Sequence, residues 1–106
     1  MRVDLSLMQT KRRRGTVLKL VRQGHENQLS RLDDGAVADI LLEMGQPMSP
    51  YQMLTLLQDL ATLGYIQYEQ SFDNEVGRYR LDNIILTPTG LRFVDRRKSN
   101  EDIVFN

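Results

Sequence analysis

The chain has no cysteine, no tryptophan, a single histidine and no excess of charge of either sign. Without cysteine it can form no disulfide, no thiol nucleophile and no thiolate metal site, which fits a reducing compartment and makes the cytoplasm the expected location. His25 stands beside Glu26 with no ordered carboxylate spacing around it. It reads as a structural or solvent-facing residue, and no metal or other cofactor is expected. No apolar run reaches the length of a secretory leader or a membrane span, so no membrane partner is expected. Nucleophile elbows, phosphate loops, HExxH and dinucleotide glycine patterns are missing as well, which leaves an enzyme the least favoured class. Fourteen basic residues balance fourteen acidic ones, so no global field draws the protein toward nucleic acid or any other polyanion.

What is present suits one domain. With 106 residues, 41% of them hydrophobic, the chain can bury one modest core. The expected division is an arm at 1–9, a domain at 10–97 and a tail at 98–106. Residues 10–23 place Val17, Leu18, Leu20 and Val21 on one side of a helix, with Gly24 as its stop. A very short extended segment fits around Leu29. Asp33 or Asp34 can cap a second helix, in which Ala36, Val37, Ile40, Leu41 and Met44 form an apolar stripe ending near Gly45. The third helix has the clearest start: Ser49 as cap, Pro50 in the first turn, and Gln52 where a capping box needs its third residue. At about 100° per residue, Met53, Leu54, Leu56, Leu57, Leu60, Ala61 and Leu63 share one side, while Tyr51, Gln52, Thr55, Gln58, Asp59 and Thr62 share the other. Gly64 ends it.

From there the period changes to two. The stretch YIQYEQSF, the loop DNEVG and the stretch RYRLDNIILT read as a hairpin. Thr87 and Pro88 then repeat the cap-and-proline start of a helix with Leu91, Phe93 and Val94 on its apolar face. Residues 103–105 form an apolar patch in a polar tail, either frayed or docked. The fold class is therefore α+β: three core helices, a β-hairpin and a short C-terminal helix.

That order resembles the winged-helix variant of the helix-turn-helix fold. More specifically, SPYQMLTLLQDLATLGYIQYE is similar to the third helix and first wing strand of MarR, PadR and ArsR type regulators, with Gly64, Tyr65 and Ile66 at the helix-to-wing step. GRYRLDNIILTPTGLRFV is similar to their second wing strand and the step into the last helix, here Leu86, Thr87 and Gly90. The resemblance spans residues 10–97 at superfamily level. A weaker one, in size and over residues 29–98, is to small winged-helix proteins carried by Mu-like prophages. These resemblances imply a DNA-binding transcription regulator, working as a homodimer and possessing a phage connection. In the regulators the third helix usually offers Arg or Lys to DNA. The exposed side of this one offers none.

The balanced total hides an uneven distribution. Residues 1–22 hold seven basic and one acidic group, +6; residues 23–60 hold one and six, −5; residues 61–106 hold six and seven, −1. The helices expected to form the helix-turn-helix are thus the acidic part, although phosphate contacts supply much of the affinity in DNA binding.

Four groups of residues are candidates for the interface. Tyr51, Gln52, Thr55 and Gln58 can meet base edges or phosphates, since Gln pairs with adenine and hydroxyls reach phosphate oxygens; the alternative is a merely soluble outer face. Arg78 and Arg80 lie on one face of a strand, where they could hold a phosphate or pair across the hairpin with Glu69 or Asp73. Arg13 and Arg14, within the run 11–14, can hold backbone phosphates or form a solvated face. Arg92, Arg96, Arg97 and Lys98 form a second basic run with the same two readings. Double-stranded DNA is the first expected partner, read by a dimer at one-turn spacing with ~6 phosphate contacts and a log-log salt slope near −5. The rival expectation is a protein-interaction or assembly module, in which the neutral third helix, the acidic second helix and the 103–105 tail meet another protein or a second copy.

Overall fold

In the computed structural model, residues 5–26 and 32–105 are described, apart from the side chains of Leu5, His25 and Glu26. Those residues form an α+β fold of four helices and a two-stranded antiparallel hairpin: α1 (Leu5–Glu26), α2 (Asp34–Glu43), α3 (Pro50–Thr62), β1 (Ile66–Asp73), β2 (Arg78–Leu86) and α4 (Pro88–Arg96).

Helix α1 is longer than its sequence signals suggest at both ends. Thr10 is not a start, because its hydroxyl donates to the Ser6 carbonyl one turn back (3.0 Å) and so lies inside the helix. Part of the expected arm is therefore helical from Leu5 onward. Gly24 is not a stop: it is buried inside the helix with Leu32 packed over it. The extended segment expected at Leu29 lies outside the described residues, but Leu32 makes an isolated antiparallel bridge to Ile84, whose amide donates to the Leu32 carbonyl (3.0 Å).

The other three helices start where local chemistry directs. Asp33 caps α2, accepting from the Ala36 amide (2.7 Å). Ser49 and Gln52 form a reciprocal capping box on α3, the Gln52 amide donating to Ser49 Oγ and the Ser49 amide to Gln52 Oε1. Thr87 caps α4 through the Gly90 amide (2.9 Å) and ties the helix back to the Gly64 carbonyl. Gly64 itself has φ +88°, the left-handed turn that lets the chain leave α3 for β1.

These elements close on one core. Val17, Leu18 and Val21 of α1, Val37 and Leu41 of α2, and Met53, Leu56, Leu57 and Leu60 of α3 meet Ile66, Leu81, Ile84 and Leu86 of the hairpin and Val94 of α4. On β2 a strict alternation would turn Leu81, Asn83 and Ile85 inward, yet Leu81, Ile84 and Leu86 are the buried ones. A β-bulge makes the difference. Gln67 pairs with Ile85 and Glu69 with Asp82, so Tyr68 alone faces both Asn83 and Ile84. Asn83 takes up the extra residue in the left-handed region (φ 53°), and its side-chain amide donates to Glu69 Oε2 (2.7 Å). Asn is among the few side chains that adopt this conformation readily.

The tail is docked on its own chain. Ile103 is fully buried, the Val104 amide donates to the Lys11 carbonyl (3.1 Å), and the Phe105 ring packs on Phe93 with centroids 5.3 Å apart. Asn100 folds the turn by accepting from the Asp102 and Ile103 amides. Gly15 permits the approach, because any Cβ there would collide with the Val104 carbonyl. The tail thus lies along the α1 stripe of Lys11, Gly15 and Lys19, and its apolar patch is not presented to a partner.

Candidate functional site

The outer side of α3 is the surface on which most candidate residues meet. Tyr51, Gln52, Thr55 and Gln58 are all exposed, Tyr51 by 78%. Gln52 is already committed through its carbonyl oxygen to the capping box, which leaves its amide nitrogen as a donor. Along one flank, the first turns of α1 cross beside α3 and make a cleft of about 190 Å³. Thr10 and Arg13 of α1, Met48 before α3, and Tyr51, Thr55 and Asp59 of α3 are among its walls. The cleft thus places one guanidinium beside the neutral polar residues of α3. Arg13 Nε is buried there without a hydrogen-bond partner.

Arg14 does something different. Its guanidinium reaches Asp59 Oδ2 at 3.3 Å and donates to the Asp102 carbonyl at 3.0 Å, with only 16% of the side chain exposed. It therefore clips α1 to α3 and to the tail, and is unavailable to an external phosphate. Asp59, whose sequence position suggested only one more charge on the outer face of α3, is the anchor of this clip. Nothing local signals the pairing, since the two residues are 45 positions apart.

The hairpin arginines separate in the same way. Arg80 lies 3.7 Å from Asp33 Oδ2 and 3.8 Å from Asp73 Oδ2, so pairing with a carboxylate across the hairpin occurs, with Asp73 and not Glu69. Arg78 is exposed and, among the described residues, makes no ion pair. No contact of the described residues brings either hairpin arginine to the α3 cleft. At the tip of the hairpin Phe72 (51% exposed) and Tyr79 (49%) pack edge to face, centroids 5.2 Å apart, beside an exposed Val76.

Among the described residues no group of His, Asp or Glu is arranged to hold a metal ion, and no helix is long and apolar enough to cross a membrane. No family model, curated protein or solved structure matches this chain.

Proposed function

We propose that the chain is a small winged-helix protein that binds duplex DNA without catalysis, as a regulator working in pairs. In this reading α3 enters the major groove, with Tyr51, Thr55, Gln58 and the amide of Gln52 facing base edges and phosphates. The observation that carries it is the placement of Arg13 in the α1–α3 cleft. A helix without positive charge gains one from its neighbour, against the side chains that would meet DNA. Four helices and a hairpin in this order, with α3 capped and exposed, support the winged-helix arrangement.

The ion pairs narrow the set of arginines open to phosphate. Arg14 and Arg80 are engaged with carboxylates, whereas Arg12, Arg13 and Arg78 form no ion pair among the described residues. Three phosphate contacts per chain, six for the pair, correspond to a log-log salt slope of about −5. Fluorescence anisotropy with a labelled duplex at 50 and 200 mM salt, roughly the range over which such contacts are lost, tests this. Binding at the lower salt that weakens along that slope is expected. Absence of binding at low salt overturns the proposal.

A second reading, an assembly module, is favoured by one observation: the exposed Phe72, Val76 and Tyr79 at the hairpin tip. Exposed aromatics clustered in this way are characteristic of protein contacts more than of phosphate contacts. In that case the chain does not bind duplex, and a Phe72→Ser, Tyr79→Ser variant loses its partner or its self-association while keeping its fold. The tail takes no part, being folded onto α1.

A further inference from the structure

The α1–α3 cleft has walls of two kinds. Met48, Leu56 and the ring of Tyr51 are apolar, whereas Thr10 and Thr55 bring hydroxyls from the two helices and Arg13 brings its guanidinium. At about 190 Å³ the space equals roughly six water molecules at their share of liquid volume. That is the size of a small organic molecule, too small for a peptide or a nucleotide. We infer that the cleft is a site for a small monocarboxylate with a compact apolar body, its carboxylate on Arg13 and its body against Met48, Leu56 and Tyr51.

The state of Arg13 is the first support. It is half-buried and, among the described residues, donates to no protein acceptor; its Nε is enclosed and unpaired. A buried donor without an acceptor costs free energy, and the chain offers no oxygen that relieves it. The terminal amino groups are therefore the donors open to an oxygen from outside, and a guanidinium fork takes a carboxylate by two parallel hydrogen bonds. Charge is the second support. Asp59 stands in the same cleft with Oδ2 3.3 Å from the Arg14 guanidinium, so two cations face one carboxylate and the local charge is +1. A single negative charge neutralises it, whereas a phosphate dianion would be repelled by Asp59. The third support is the apolar wall, which favours a hydrocarbon body held by a few polar groups.

A consequence for DNA binding rests on the reading proposed above. A carboxylate on Arg13 neutralises the charge lent to α3 and fills the space beside Thr55, so ligand and duplex exclude one another. Binding of the carboxylate itself does not depend on DNA.

The probe is cyclohexanecarboxylate, with the neutral cyclohexanecarboxamide as control, each titrated into the full chain at constant ionic strength and followed by amide and arginine Nε–H chemical shifts. The acid should give saturable shifts at Thr10, Arg13, Tyr51, Thr55 and Asp59, with a dissociation constant of about 1 mM, as suits so small a ligand. The amide should bind about fivefold more weakly or worse, and Arg13→Gln should weaken binding of the acid to the same degree. Arg13 has no protein partner to lose, so the melting temperature of that variant should not fall, which separates loss of ligand from loss of fold. Thr55→Phe fills the cleft from an exposed position and should abolish the shifts. With a labelled duplex present, the acid at about ten times its dissociation constant should weaken duplex binding about tenfold, and the amide should not. Saturable acid binding by a chain that binds no duplex would remove the DNA reading and leave the site standing. Acid binding with undiminished duplex affinity would overturn the mutual exclusion. The site itself is overturned if the acid moves none of these residues, if acid and amide bind alike, or if both variants bind the acid as the unaltered chain does.

Discussion

On the α3 side of α1, Arg14 is tied to Asp59 and to the Asp102 carbonyl, and Arg13 alone remains beside the cleft. On the α4 side, Lys19, Arg22 and Arg97 line one groove, where Arg22 Nε donates to Asp95 Oδ1 at 3.0 Å. The α3 flank draws on the run 11–14, whereas the α4 flank combines Arg97 of the second basic run with Lys19 and Arg22, which stand outside both runs. The difference teaches that the supply of carboxylates from other elements, more than the number of arginines, decides what a basic run has left to offer. Helix α3 supplies Asp59 to Arg14 on one side, and α4 supplies Asp95 to Arg22 on the other.

The docked tail underlies both flanks, since it holds Arg14 through Asp102 and places Phe105 near Lys19, whose ammonium is 5.9 Å from the ring centroid. Ile103→Ala is therefore expected to give the largest change. Removing a fully buried aliphatic side chain costs about 3 kcal/mol, measurable by chemical denaturation, and should loosen the Arg14 clip at the same time. A loss below ~1 kcal/mol would mean that the tail is not part of the core.

A smaller effect is expected where the comparison is broken by charge alone. Asp59→Asn leaves a largely buried guanidinium without its counter-charge, at a cost of about 1 kcal/mol because the carboxylate side is 45% exposed. The same variant takes the carboxylate out of the α3 cleft wall. Its affinity for duplex should tighten roughly two- to threefold, as one unscreened charge at moderate distance permits. Unchanged affinity would show that the α3 cleft does not lie near phosphate. The smallest effect belongs to Arg80→Ala: its two contacts are long and the side chain is 46% exposed, so thermal or chemical denaturation should register under ~0.5 kcal/mol.

The helix starts were legible because caps act within four residues. Ser49 with Gln52, Asp33 and Thr87 with Pro88 announce α3, α2 and α4, and all three do so in the structure. Where the controlling contact is distant, local signals misled. Gly24 resembles a stop but lies in the packed part of α1 under Leu32. The bulge at Asn83 could be sensed only as a break in the buried alternation of β2, with an Asn at the break. The candidate site was half legible. The composition of the α3 face could be read from helical spacing, whereas the fates of Arg14 and Arg80 depend on Asp59, Asp102, Asp33 and Asp73, which only the tertiary fold brings near.

The central claim is that Arg13 lends α3 the positive charge it lacks. The most direct measurement is the salt dependence of duplex binding for the unaltered chain and for Arg13→Ala, by anisotropy across several salt concentrations. The account predicts about tenfold weaker binding at low salt, as expected for a charge-assisted contact, and a log-log slope shallower by about 0.9 per chain. Identical slopes and affinities for the two proteins would contradict it.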